Sequence, residues 1–441
     1  MRPLRILLLS SRPIDHSANL AQDYYDALTS AGHIVDFNYP GMDVDIAKAK
    51  LNLYNYPKWF SVLAKIHFVG ALNRLGFYFK IQRKAFMIHK TWRTGNGDEK
   101  HPLLDPHLIL YNLRDRQYDL IYTLFWENII SSETLKILYE FYKCLIIIGS
   151  VDMAPMTGGC FYFGSCQEYA NECRHCPMFR YSIWKYAHKN FLTKRSNYNS
   201  IELVYACNTH QKLFAERTGL FKFIKTKSTL ISDKIFHLQS RNSCLDTLNI
   251  NSNKSFIISA RHSYEERKGF HIVKKCLEYL YNKISNEEAG KILLIIVGCK
   301  SELNPKEFPF DILNTGVVDS FTLAKVYSAS NVFLCPSIDD AGPSMINQSM
   351  MCGTPVISFN SGTAIDVVED GVSGFKVNIG DIIGFAERLY RLYCLSDSQY
   401  KLLRETTYQT SKKWNSSESY VKFVEDCYNL FREDGSKKEK Q

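Results

Sequence analysis

Between Asn331 and Phe359 the chain reads as strand, loop, short helix and strand, and this order restricts its fold more than any other feature. Asn331–Cys335 and Thr354–Phe359 are short apolar runs, and 343–351 between them has helical character. Two such strands joined through a helix make a parallel crossover, which requires a sheet covered on both faces. Pro343 suits the first helical turn, where its missing N–H costs nothing, and Gly353 suits the stop. The N–H groups left free at the helix start form an anion site, which the helix dipole favours further. Asp340 stands just before that start and Gln348 lies eight positions on, within the helix. Both can therefore face a ligand whose phosphates meet the helix end, and a sugar nucleotide has that shape.

The same alternation runs through the chain. In the first half Leu4–Ser10, Ile34–Phe37, Tyr118–Thr123 and Lys143–Gly149 read as strands, with helices over Ser17–Ala31 and Ser131–Phe141. In the second half the strands are Ser255–Ala260, Lys291–Gly298 and the two already named; Lys268–Tyr281, Ser320–Ser330 and Ile382–Leu395 supply further helices. Alternating strands and helices imply α/β units with parallel sheets. A chain of 441 residues suits two of them. The first is expected over 1–235, with a basic helical insertion at 51–97 and a Cys-rich loop at 152–177. A hinge is expected at 236–253, where Ser and Asn interrupt the periodicity, followed by a second domain over 254–412 and a helix and tail over 413–441.

Apolar residues make up 45% of the sequence, which excludes large-scale disorder. No run reaches the ~18 apolar residues of a membrane helix, and Leu4–Leu9 is too short for a signal peptide; the expectation is a cytoplasmic protein. The net charge of +9 is concentrated in one place. Leu51–Gly97 holds Lys58, Lys65, Arg74, Lys80, Arg83, Lys84, Lys90 and Arg93 with no acid, leaving +1 for the remainder. Aromatics interleave these cations, and Ile81, Ala85, Ile88 and Trp92 share a helical face opposite most of them. That pattern suits a helix on an anionic membrane surface, giving a peripheral location on its inner face. An ordinary helix with solvated charges is the alternative; nucleic acid lacks an accompanying binding module.

The run Cys335-Pro-Ser-Ile-Asp-Asp-Ala-Gly-Pro-Ser-Met-Ile-Asn-Gln-Ser-Met-Met-Cys-Gly-Thr-Pro-Val-Ile-Ser358 resembles the donor-binding signature of the retaining glycosyltransferases of family 4. Their pattern is Pro-Ser, an acid, seven residues, Glu, then Gly-x-Pro-Val; here the acid is Asp340 and the Glu is replaced by Gln348. The resemblance implies the GT-B architecture: two Rossmann-like doubly wound α/β domains facing a cleft, with a C-terminal helix returning to the first domain. It also implies a nucleotide-sugar donor. Asp340 would hold sugar hydroxyls, and Gln348 the ribose, for which no titratable group is needed. Gly342, Pro343, Ser344 and Met345 would meet the phosphates.

Arg261 and Lys268 follow a strand in Ser-Ala-Arg-His-Ser-Tyr-Glu-Glu-Arg-Lys-Gly-Phe, where an open parallel sheet places its ligand crevice. The resembled family has an Arg and a Lys-Gly at matching positions for the diphosphate, and such a cation pair neutralises a departing phosphate. The alternative is a solvated loop carrying Glu265, Glu266 and Arg267. Gly298 and Asn314–Asp319, with Val317 and Val318, look like the family's loops beside the nucleotide. Asp366 occupies the place of a family Glu and reads as structural.

The first domain carries weaker signals. Ser11 and Arg12 follow strand one without the family's paired glycines and would contact phosphate or acceptor, or form a plain turn; Asp15 and His16 would do acid–base work. Ser150-Val-Asp-Met-Ala-Pro-Met-Thr-Gly-Gly-Cys160 resembles a phrase of polysaccharide-building members in which the residue at Val151 is His. Asp152 would orient the acceptor hydroxyl or stabilise the anomeric carbon, or else cap a turn. Cys160, Cys166, Cys173 and Cys176 fit a closed tetrahedral zinc site of structural character, with disulfides or buried thiols as alternatives; no catalytic cofactor is expected.

Together these features point to a retaining glycosyltransferase that moves a hexose from a nucleotide-sugar to a saccharide or lipid-linked acceptor. It would build capsule, exopolysaccharide or lipopolysaccharide. The alternatives are a nucleotide-sugar epimerase of the same architecture and a non-catalytic sugar-nucleotide-binding partner.

Overall fold

The computed structural model describes residues 2–11, 20–38, 99–100, 102, 106–126, 130–177 and 184–438. Two six-stranded parallel sheets follow one another along the chain. The first contains β1 (Arg5–Leu9), β2 (Ile34–Asn38), β3 (Leu120–Thr123), β4 (Leu145–Gly149), β5 (Leu203–Cys207) and β6 (Phe223–Thr226), in the order β2-β1-β3-β4-β5-β6. The second contains β7 (Phe256–Arg261), β8 (Ile292–Val297), β9 (Asp311–Gly316), β10 (Val332–Cys335), β11 (Val356–Phe359) and β12 (Gly374–Val377), in the order β12-β11-β10-β7-β8-β9.

The central strands are nearly unbroken apolar runs because helices cover both faces. β4 reads Leu-Ile-Ile-Ile-Gly and is buried throughout, as is β10. The strands that sequence pattern misses are β5, β6, β9 and β12, and the last three of these are sheet edges. β6, Phe-Ile-Lys-Thr, alternates exposed and half-buried positions, so it lacks the apolar run that marks a central strand.

Each sheet has one point where the strand order reverses: between β1 and β3, and between β7 and β10. Neighbouring chain segments leave in opposite directions there, opening a crevice beyond the strand ends. Register pairs Leu334 with Ala260, so Arg261 and the loop after Cys335 emerge side by side. On the first sheet Ser11 N–H donates to Phe125 O at 2.9 Å across the equivalent point.

The hinge expected at 236–253 is instead folded onto the second domain. Ile231 and Phe236 are buried with Phe333, Ile346 and Met350, and Arg241–Thr247 forms a helix packed against Ser320–Ala329. The crossover therefore precedes this stretch. The chain returns through Asp397–Asn415, whose Asn415 O accepts the Ile231 N–H at 3.0 Å. The last helix, Ser417–Lys438, then packs on Leu20–Ser30 of the first domain. Tyr420 anchors it, its ring centre 4.5 Å from that of Tyr24 and its hydroxyl bonded to Tyr122.

The basic segment 51–97, with its membrane-surface reading, lies outside the described residues, as do Arg12, Asp15 and His16. Among the described residues no helix is long and apolar enough to cross a membrane.

Candidate active site

The two reversal points face one another across a cavity of about 610 Å³. Its second-domain wall is built by Arg261, Lys268, Asp340, Gly342–Met345 and Gln348. Its first-domain wall includes Asp23, Phe125, Ser150, Tyr162, Asn208 and Gln211, and Tyr420 reaches in from the C-terminal helix.

Lys268 closes the short turn Glu266–Lys268, and its ammonium bonds the Asp340 carboxylate. Gly269 makes that placement possible. Its φ of 71° is in the left-handed region, and a Cβ there would strike the Pro336 carbonyl oxygen. Helix Ser344–Met351 begins one residue later than expected: Pro343 is its N-cap, with ψ of 97°, rather than a first-turn residue. Ile346 N–H makes the first helical bond, to Pro343 O at 2.9 Å. The N–H groups of Ser344 and Met345 thus precede the helical ladder and are suited to an anion. Arg261 lies beside them, with Nη1 donating to Met345 Sδ at 3.3 Å.

A polar seam joins the domains around this wall. Asn208, which caps helix Thr209–Thr218, donates to Ala341 O, and Thr209 N–H donates to Asp366 Oδ2 at 2.9 Å. His210 Nδ1 accepts the Gly362 N–H at 3.0 Å, and burial pushes its pKa below the usual imidazole value. Asn347 donates to Ser228 Oγ at 3.1 Å and accepts from Thr363 Oγ1 at 3.2 Å. The structural reading of Asp366 agrees with this contact. Arg267, which sequence reading left in a solvated loop, holds the Asp339 carbonyl at 2.9 Å and covers the Tyr162 ring. Its adjacency to Lys-Gly was the one signal available. Asn208, His210, Tyr162 and Arg267 were missed because each acts on the other domain, far away in sequence.

Several expected site residues lie elsewhere. Gly298, Val317 and Val318 are not in the cavity lining. Gly298 sits against Arg261, and Val317 is 68% exposed where β9 runs into helix Ser320–Ala329. Ser11 is buried below the strand end and does not line the cavity. Asp152 also lies outside the lining, although Ser150 and Val151 are in it. Its Oδ1 accepts the Ala154 N–H at 2.7 Å, the turn-capping role that was its alternative.

The Cys-rich loop is held internally. The Cys160 thiol shares a hydrogen bond with the Cys176 thiol, a contact that together with burial raises its pKa far above the usual range. Cys173 Sγ accepts the Gly158 N–H at 3.2 Å, and Cys166 Sγ the Glu168 N–H at 3.4 Å. All four cysteines are free thiols, and among the described residues no three His, Cys, Asp or Glu side chains are placed to hold a metal ion. The four thiols nevertheless gather around Cys160, which has Cys166, Cys173 and Cys176 all as electrostatic neighbours.

Residues 253–394 match the family described as Glycosyl transferases group 1. That stretch contains every second-domain cavity residue from Arg261 to Gln348. No curated protein matches the sequence significantly. Among solved structures, the fold is similar to sucrose-phosphate synthase from Thermosynechococcus elongatus, at 13% identity over 98% of this chain and 100% of that one, with a TM-score of 0.60. Anabaena Alr3699/HepE in complex with UDP and glucose is similar at 14% identity over 97% and 100%, with a TM-score of 0.56. A trehalose-6-phosphate structure from E. coli, bound with UDP-2-fluoro glucose, is similar at 13% identity over 96% and 99%, with a TM-score of 0.60. The architecture is GT-B.

Proposed function

We propose that the chain is a glycosyltransferase that takes a hexose from a nucleotide-sugar donor and transfers it, with retention, to a saccharide or lipid-linked acceptor in surface-polysaccharide synthesis. The observation that carries this reading is the convergence of Arg261, Lys268 and the start of helix Ser344–Met351 on one interdomain space beside Asp340. Two cations and unpaired N–H groups suit a diphosphate, whose bridging oxygen gains charge as the glycosidic bond breaks. Neighbours of this fold bound to UDP, UDP-glucose and its 2-fluoro analogue add support for the donor class.

In this reading Arg261, Lys268 and the helix start bind the leaving diphosphate, and that phosphate takes the acceptor proton on the same face of the sugar. Asp340 binds a sugar hydroxyl and also holds Lys268 in place. Gln348, lining the same wall, binds the ribose. Basic segment 51–97 would keep the enzyme at an anionic membrane surface.

Thermal shift with a panel of nucleotide-sugars tests the donor site, because a ligand that binds the native state raises its apparent stability. UDP-glucose is the first probe. The expected result is a rise in Tm for the chain and none for Lys268→Ala; an equal rise in both would refute this placement. Release of nucleoside diphosphate only when an acceptor is added separates transfer from interconversion of the donor sugar.

A further inference from the structure

The cavity is electrically lopsided. Arg261, Lys268 and a helix start face it from the second domain, whereas Asp23, in the first turn of helix Leu20–Ser30, faces it from the first. Among the described lining residues Asp23 and Asp340 are the only carboxylic acids, and Asp340 is engaged by Lys268. Asp23 accepts the Ser232 N–H and has Asp26, on its own helix, and Asp233, on the crossover, as charged neighbours. Lys227 lines the same cavity but is committed to Trp414 O at 2.8 Å and Ser419 Oγ at 2.9 Å. The phenols Tyr24 and Tyr420 complete this end. An anionic group arriving here meets the Asp23 carboxyl, with Asp26 and Asp233 behind it, whereas a neutral hydroxyl donates to Asp23.

We infer that Asp23 is a specificity-determining residue that binds the hydroxyls of an uncharged saccharide acceptor. This end of the cleft then receives a sugar ring rather than a phosphate group. The inference rests on the proposed donor site, and it narrows the acceptor to a hydroxyl-bearing saccharide end, free or carried on a lipid. Burial pushes the Asp23 carboxyl up to about 7, opposed by the Ser232 N–H and reinforced by Asp26 and Asp233. Ionised, it accepts from hydroxyls through both oxygens; protonated, it gives up acceptor capacity. Acceptor binding should therefore strengthen as pH rises through that value.

Saturation-transfer NMR on the full chain tests this, using methyl glycosides of the common hexoses as neutral probes and glucose 1-phosphate as the anionic one. Spectra are recorded with and without saturating UDP. The expected result is saturation of at least one methyl glycoside at pH 8, reduced about fivefold or more at pH 6. Asp23→Asn should show the same loss, while Asp23→Glu retains part of the signal. Glycoside signals unchanged in Asp23→Asn overturn the inference, as does a glucose 1-phosphate signal that depends on Asp23, or no signal from any glycoside. The UDP-induced rise in Tm is measured on the same samples and should survive in Asp23→Asn; its loss there would overturn the assignment to the acceptor. A chain that binds glycosides through Asp23 but shows no UDP response would instead count against the donor site alone.

Discussion

The Arg267 guanidinium lies 3.9 Å from the centre of the Tyr162 ring, seating a second-domain cation on an aromatic face of the first-domain Cys-rich loop. Arg267 Nη1 also stands 3.9 Å from Asp340, and Asp339 accepts the Gly164 N–H from the same loop at 3.1 Å. The loop tip is thereby fastened to the residues that flank Lys268. A largely buried cation–π pair contributes about 1–2 kcal/mol. Arg267→Ala and Tyr162→Ala should each lower stability, and a double-mutant cycle by urea denaturation should give a coupling of about 1 kcal/mol or more. Strict additivity would show that the stacking joins nothing. Arg267→Lys should recover little, because the planar face is lost.

Gly269→Ala should cost about 2 kcal/mol or more, since its backbone is left-handed and its Cβ meets Pro336 O. It should also weaken donor binding by displacing Lys268. Gly290→Ala is the control: nothing lies within 4 Å of a Cβ there, and its stability should change by less than about 0.5 kcal/mol. Equal effects of the two substitutions in denaturant melts would remove the special role of Gly269.

His210 must be deprotonated at Nδ1 to accept the Gly362 N–H, and burial holds its pKa below the usual 6.5. As pH falls below that value the unfolded chain binds the proton before the folded one. Stability is therefore complete above about 6.5 and is lost as pH drops toward the folded pKa. His210→Asn keeps a carbonyl acceptor but does not titrate. The Tm difference between the chain and this variant should shift against the unaltered chain between pH 7 and pH 5; a constant difference would show that the seam does not depend on His210.

Lys194 and Glu99 form an ion pair at 3.0 Å with both side chains at 0% exposure. Lys194 Nζ also donates to Ala154 O and Thr157 O, each at 2.7 Å, and so holds the loop that leads from Asp152 to Cys160. Lys194→Met should destabilise by about 3–5 kcal/mol, because it leaves the Glu99 carboxylate buried with the Ser132 N–H at 2.8 Å but no neutralising cation. Chemical denaturation reads this directly. A loss below about 1 kcal/mol would mean that the Lys194 charge is not what keeps Glu99 buried.

Much of the second domain was legible in the sequence because its site is local. Asp340, Gly342–Met345 and Gln348 share one loop and helix, and Arg261 and Lys268 share one strand exit. Spacing along a single element is enough to place them together. Edge strands such as β6 and β9 were not legible, since short, partly exposed segments need only a weak apolar pattern. The hinge was misplaced for a related reason: Phe236 is buried against Phe333 and Met350, a partnership that Ser- and Asn-rich neighbours conceal.

The sequence alone determined that two parallel α/β units would form, because continuous apolar strands alternating with helices leave no other way to cover both sheet faces. It also determined that a helix start, two cations and Asp340 would share one strand-end crevice. Only the tertiary structure decided what stands opposite them. Asp23, Tyr162, Asn208, His210 and Tyr420 reach the cavity or its seam from four separate places in the chain. Asp152, expected there, turns to its own backbone, and Gly298 and Val317 fall outside the lining. A pairing between distant segments depends on how two domains dock, and docking is set by shape and partner geometry that leave no periodic trace in either segment.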